Sequence, residues 1–213
     1  MAELLLIRHG RTYWNEETRF QGQLNSDLND VGRAQAKALG ERFQSEALDC
    51  VYSSDLGRAW STAQALIGHH KNEPVKHRAL RERAMGVFEG CTQPEIERDN
   101  PEAWKKFLLR EPDYRIPGGE SIEDVLERSN LFLEHVAQHH KGEKIAAITH
   151  GGWIRVVLKG LLGLEQRLPT RFKVLNTSIH RLKFIDGHWW VMGMGDVSHL
   201  EESLQRTSSS HAL

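Results

Sequence analysis

The chain has 213 residues, 39% of them hydrophobic and 27% charged, with a formal charge of -1. That length is enough to bury one substantial core, and the balanced charge gives no basic surface for nucleic acid or for an anionic membrane. Cys50 and Cys91 lie far apart with no CxxC spacing, which excludes a disulfide framework or a zinc knuckle and fits a reducing, cytoplasmic setting.

Leu4-Leu5-Leu6-Ile7 opens the chain as a short continuous apolar run, the pattern of a strand covered on both faces. The run is stopped by Arg8 and His9, too soon for a signal-peptide core, and no later stretch is long enough for a membrane span. Asn29 or Asp30 can cap a helix reaching about Phe43, with Ala34, Ala38, Leu39 and Phe43 at helical spacing. A second strand is expected over Leu48–Tyr52. A helix capped by Ser53, Ser54 or Asp55 then carries Arg58, Thr62, Ala65 and Leu66.

The segment 82–119 is irregular and rich in proline, with short helices expected around Pro94–Asp99 and Pro101–Leu109. Ser121 is placed to cap a long helix from Ile122 to about His139. Lys144–Thr149 reads as another strand, followed by a glycine turn and a helix over Trp153–Leu162. Ile179–Ile185 and Trp189–Met194 flank Asp186-Gly187, a hairpin signal. The polar tail, 201–213, is expected to be disordered. Strands alternating with helices predict a three-layer α/β/α fold with a mainly parallel sheet. One domain over 1–200 is expected, with 82–119 an insertion over the active site.

One internal echo points to chemistry. Leu-Leu-Leu-Ile-Arg8-His9-Gly10 and Ile-Ala-Ala-Ile-Thr149-His150-Gly151 each set a histidine just past a strand end, before a glycine expected to turn the backbone sharply. In open α/β sheets that is where ligands bind, so parallel neighbouring strands would bring the two imidazoles to one crevice. A neutral imidazole can attack phosphorus. Arg8 and Arg58 supply planar donors matched to phosphate oxygens, the start of the Arg58 helix adds partial positive charge, and Asn15 adds an uncharged donor. Phosphoryl transfer needs mainly positioning and charge stabilisation, which this set supplies without a metal. Glu82 is the candidate general acid. To hold its proton it needs burial or the charge of bound phosphate, and Arg81 and Arg83 oppose that if they face it.

Arg8-His9-Gly10-Arg11-Thr12-Tyr13-Trp14-Asn15 resembles the RHGxTxxN signature of the histidine phosphatase superfamily, the phosphoglycerate mutase-like proteins. The resemblance continues through Phe20-Gln21-Gly22, Ser53-Ser54-Asp55-Leu56-Gly57-Arg58-Ala59, Glu82 with Gly86 and Glu89-Gly90, and Pro117-Gly118-Gly119-Glu120-Ser121. Thr149-His150-Gly151 and Asn176-Thr177-Ser178-Ile179 complete it. It implies that His9 is the phosphorylated nucleophile and that Glu82 gives and later takes a proton. It further implies that Arg8, Arg58 and His150 hold the transferring group, while Asn15, Gln21, Gly22 and the backbone of Gly151 line the pocket. A small phosphorylated metabolite is the implied substrate, no cofactor is expected, and a homodimer is common among such proteins.

Two departures bear on substrate choice. Arg11 stands where many members have Glu, which places extra positive charge near the pocket mouth. Asn25, Asp27 and Asn29 replace Asp, Pro and Thr of the family's GxxDxPLTxxG segment. The resemblance leaves a phosphatase, a phosphoglycerate mutase that returns the phosphoryl group to substrate, and a phosphate-binding module without turnover as the readings to separate. His69-His70 and His139-His140 suggest a metal at first sight. Adjacent helical residues diverge, however, so surface positions are expected for them. Glu89 lies in the same irregular segment as Glu82, where a solvated loop charge is the alternative reading for either, and Trp60 reads as pocket wall or core.

Overall fold

The computed structural model describes residues 1–67 and 73–205. Its six strands are β1 (Ala2–Arg8), β2 (Cys50–Ser53), β3 (Val75–Lys76), β4 (Lys144–Thr149), β5 (Ile179–Ile185) and β6 (His188–Asp196). They form one sheet in the order β3-β2-β4-β1-β5-β6. β1 pairs parallel with β4, and β2 pairs parallel with both β4 and β3, while β5 and β6 run antiparallel.

The apolar run of β1 is central because both of its faces are covered. Leu4 and Leu6 join one core with Phe132, Trp153 and Leu158. Leu5 and Ile7 join the opposite core with Leu39, Phe43 and Leu66. Each such fully buried side chain contributes about 1.5–3 kcal/mol, so a one-residue slip of β1 would put every contact on the wrong face.

Before β2 the chain forms α1 (Tyr13–Glu16) and α2 (Asp30–Arg42), and α3 (Gly57–Ile67) follows it. Asn29 caps α2, its Oδ1 accepting from Gly32 N at 2.9 Å. α4 (Gln93–Asp99) and α5 (Pro101–Leu109) lie in the irregular segment, both with proline in the first turn. α6 (Ile122–His139) starts at a reciprocal cap: Ser121 Oγ accepts from Asp124 N, and Asp124 accepts from Ser121 N at 2.7 Å. α7 (Gly151–Leu161) follows β4 directly. α2 and α3 belong to one face of the sheet, α6 and α7 to the other, which makes the three layers.

A third apolar cluster stands apart from both cores. Met85, Phe88, Ile96, Trp104 and Ile116 are buried in it, with Phe20, Phe107 and Tyr114 packed against them. Trp104 stacks on Phe107 with ring centroids 5.3 Å apart.

The expected hairpin is present, and both Asp186 (φ 49) and Gly187 (φ 83) take the left-handed conformation that its two-residue turn demands. Several expectations are corrected. α3 starts at Gly57, later than a cap at Ser53–Asp55, because β2 extends to Ser53. β3 was not foreseen; it is two exposed residues recruited by the edge of β2.

The glycines after His9 and His150 do not turn the backbone through positive φ. Gly10 is required by contact, since a Cβ there would stand 2.6 Å from Gly32 O. Gly151 and Gly152 are already the first turn of α7, with His150 at its N-cap. Glu202–Gln205, expected within a disordered tail, form a short helix, α8, and Leu204 O accepts from Gln35 Nε2 at 2.8 Å. The rest of that tail lies outside the described residues, as do His69 and His70. His140 is not a surface position: its Nε2 meets Tyr52 Oη at 2.9 Å and its Nδ1 meets Glu143 at 2.6 Å.

Candidate active site

β1 and β4 are parallel neighbours in the register Arg8↔Thr149. The two histidines that follow are therefore brought together, with ring centroids 5.1 Å apart. The backbone around His9 is held from three sides. His9 N donates to Thr149 O at 3.0 Å. Gly10 N donates to Thr62 Oγ1 at 3.0 Å, and Asn176 Nδ2 donates to His9 O at 2.9 Å.

His9 Nδ1 lies 2.7 Å from Gly10 O. A carbonyl can only accept, so Nδ1 carries the proton and Nε2 is the nitrogen with the lone pair. Burial, then the positive charges of Arg58 and Arg8, hold His9 well below the ordinary histidine range. It is a neutral imidazole at neutral pH. His150 is likewise pushed down by burial and by Arg58. Its Nε2 lies 2.9 Å from Ser54 Oγ.

Arg8 and Arg58 are 6% and 1% exposed. Arg8 Nη1 donates to Val174 O, and Arg58 donates to Leu24 O and Gly22 O, all at 2.7 Å. These carbonyls orient the guanidiniums without neutralising them. Burial and neighbouring cations lower Arg8 to about 9, and burial lowers Arg58 to about 10, so both stay cationic at neutral pH.

Arg8 Nε, Arg58 Nε and His150 Nδ1 are buried and have no hydrogen-bond partner. Leaving a buried donor unpaired costs about 1–3 kcal/mol. Three such nitrogens beside one basic imidazole suit an anion with several acceptor oxygens.

Arg8, His9, Asn15, Gln21, Gly22, Arg58, Glu82 and Gly151 line one cavity of about 250 Å³, the volume of roughly eight water molecules. His150 does not line it and sits fully buried behind. Asn15 Oδ1 accepts from Thr12 N at 3.2 Å, so the end it can offer an anion is the amide Nδ2.

Glu82 is seated at the start of α7. Its carboxylate accepts from Gly152 N at 2.9 Å, Trp153 N at 3.0 Å and Arg83 N at 2.9 Å. A Cβ on Gly152 would come within 2.5 Å of Glu82 Oε1, so glycine is what admits the carboxylate there. The two flanking arginines are bonded elsewhere: Arg81 grips Asp55 at 2.7 and 2.6 Å, and Arg83 donates to Glu120 O at 2.8 Å.

Glu89 is neither a solvated charge nor a lining residue. Its Oε1 accepts from Gln23 N at 2.8 Å and Met85 N at 2.9 Å, under Gly22. It thus fixes the loop whose carbonyls hold Arg58. Arg11 does not line the cavity and faces Glu16 at 3.7 Å, so it adds no charge at the mouth. Trp60 is also outside the cavity wall, under Lys76 Nζ at 4.4 Å.

Sequence reasoning missed Arg155, a lining residue of α7. Its spacing of four from Gly151 on a helix was the available signal. Asn176 was quoted without a role and Ser54 only as a candidate helix cap, although they meet the His9 backbone and His150.

Residues 4–197 match the model of the histidine phosphatase superfamily (branch 1). The chain is 41% identical to phosphoglycerate mutase-like protein 4 of Arabidopsis thaliana, over 95% of this chain and 88% of that protein. It is 39% identical to a metal-independent phosphoserine phosphatase of the same plant, over 94% of this chain and 84% of that protein. Among solved structures, phosphoserine phosphatase from Entamoeba histolytica in complex with 3-phosphoglyceric acid matches with a TM-score of 0.84 at 30% identity. That match covers 94% of this chain and all of the other. The chain is a member of the histidine phosphatase superfamily.

Proposed function

We propose that this chain is a metal-independent phosphomonoesterase that hydrolyses small phosphate monoesters through a phosphohistidine on His9. The observation that carries the reading is the His9 tautomer, with its lone pair at Nε2, set beside the unpartnered nitrogens of Arg8, Arg58 and His150.

In the first step, His9 Nε2 bonds to phosphorus as the bond to the ester oxygen breaks. Glu82 gives the departing alkoxide its proton. In the second step Glu82 takes a proton from water, the oxygen attacks phosphorus, and the phosphorus–nitrogen bond breaks to release inorganic phosphate and restore His9. Arg8, Arg58 and His150 stabilise the charge on the transferring group, aided by the N-terminus of α7. Asn15, Gln21, Gly22 and Gly151 line the substrate pocket, and the segment 82–119 covers it. The names of the relatives, a metal-independent phosphatase among them, support the reading. Two unpaired cysteines among the described residues fit a reducing, cytoplasmic setting.

The test is steady-state hydrolysis of p-nitrophenyl phosphate with excess chelator, comparing wild type with His9→Ala. Chelator-resistant turnover that falls at least about a thousandfold in His9→Ala is expected. No turnover by wild type would sink the phosphatase reading. A mutase, the reading favoured by the name of the relative at 41% identity, would then show itself by interconverting phosphoglycerates in a coupled assay.

A further inference from the structure

Glu82 lies outside any strand or helix. A single 3₁₀ turn, Arg78–Leu80, precedes it, and Arg81 is extended. The carbonyls from Ala79 to Glu82 therefore need partners from elsewhere in the chain. Thr149 Oγ1 donates to Leu80 O at 2.7 Å. The other three share one donor, the side chain of Arg128, about two turns into α6. Arg128 Nη1 donates to Ala79 O at 2.8 Å and to Arg81 O at 2.6 Å, and its Nη2 donates to Glu82 O at 3.0 Å. Trp153 Nε1 and Gln23 Nε2 add second bonds to Ala79 O and Glu82 O, at 2.7 and 3.3 Å.

Glu120 completes the arrangement. Its carboxylate accepts from Arg128 Nε at 3.0 Å and Nη2 at 3.1 Å, so every N–H of the guanidinium has an acceptor. Glu120 Oε2 also accepts from Ala84 N at 2.8 Å, and Glu120 N donates to Ala84 O at 2.9 Å. The chain is thus clamped on both sides of Glu82. Neither Arg128 nor Glu120 lines the cavity.

The Glu82 side chain alone is a weak anchor. As a carboxylate it accepts from Gly152 N and Trp153 N. Once it carries the proton it must deliver, one oxygen becomes a donor and that hold loosens. A fixed backbone keeps the acid in place in both protonation states.

We propose that Arg128, neutralised by Glu120, is a positioning residue for the proton donor, holding the Glu82 backbone and acting on the reaction through Glu82. The inference rests on the phosphatase reading above. A shift of about 1 Å in such a group costs on the order of a hundredfold in rate.

kcat/KM for two esters separates this role from a merely structural one. Arg128→Gln should lower it about ten- to a hundredfold for glycerol 3-phosphate, whose leaving alkoxide needs a proton. For p-nitrophenyl phosphate, whose leaving group departs without one, the loss should stay below about threefold, and inhibition by inorganic phosphate should not change. Arg128→Lys keeps a cation opposite Glu120 and should show the same inequality at smaller size, so failure of Arg128→Gln to fold does not remove the test. In Glu82→Gln the Arg128 exchange should cost little more, because the group it positions is already gone.

Losses that agree within about threefold on the two esters, or that multiply in full in the double variant, overturn the proposal. Wild type that hydrolyses neither ester would sink the phosphatase reading and this role with it. Turnover with equal losses would sink the positioning role alone.

Discussion

His9 and His150 close adjacent parallel strands with their rings 5.1 Å apart, one at the cavity wall and the other buried behind it. Neither can take a proton cheaply, because burial and the shared neighbour Arg58 oppose a further positive charge on both. The proposed nucleophile is therefore kept unprotonated, with its Nε2 lone pair free, by its surroundings.

The first prediction concerns acid. His180 and His199 titrate at about 4 in the folded chain, held down mainly by burial. Unfolded, a histidine titrates near 6.5. Between those limits the unfolded chain binds more protons, so stability is present above pH 6.5 and is lost as pH falls toward 4. His180 alone withdraws about 3 kcal/mol by pH 4, and His9 and His150 act in the same direction. Urea midpoints should drop steadily from pH 7 to pH 4.5; equal midpoints would contradict the burial argument. Activity should outlast the ordinary histidine range, with no acid limb in kcat/KM near pH 6.5 from His9.

Glu82→Gln removes the proton donor and keeps one acceptor oxygen at the start of α7, where the carboxylate's two oxygens accept from Gly152 N and Trp153 N. For an alkyl monoester such as glycerol 3-phosphate, kcat should fall about 10²- to 10⁴-fold. The loss should be much smaller for p-nitrophenyl phosphate, whose leaving group departs without a proton. Equal losses on the two esters would show that Glu82 acts through α7 instead of through proton transfer.

Gly22→Ala tests the loop beneath the phosphate site. Gly22 has φ +51, and a Cβ there would stand 2.1 Å from Glu89 Oε1. The added strain, about 1–3 kcal/mol, falls on the carbonyl that holds Arg58 Nη2. A lower melting temperature together with roughly tenfold weaker inhibition by inorganic phosphate is expected. Unchanged phosphate affinity would mean that Arg58 does not depend on this loop.

Much of this was legible in the chain itself. The β1–β4 pairing could be read because the same pattern occurs twice, and an apolar run covered on both faces has few places to go. The long helix behind Ser121 announced itself through its cap. What stayed hidden depended on contacts distant in sequence. β3 is two residues whose pairing is decided by β2. Gly10 is explained by Gly32, which arrives from the start of α2. Glu89 took meaning only once Gly22 was laid over it, and Arg155 carried no motif, only its helical spacing from Gly151.

Trp104→Ala should cost about 3–5 kcal/mol within the third apolar cluster, where Trp104 is 4% exposed. Hydrogen exchange should speed up across α4 and α5 while β1 and β4 stay protected. Uniform loss of protection would mean that the cluster and the sheet unfold as one cooperative unit.

That cluster shares no buried side chain with the two cores flanking the sheet. Yet Phe20 and Phe107, packed on its flank, wall the cavity that His9 enters from the other side. The aromatic part of the cavity wall thus rests on a foundation separate from the strand ends that present the two histidines. A lineage could recarve the aromatic wall, and with it the accepted metabolite, while the strand ends presenting the two histidines remained untouched.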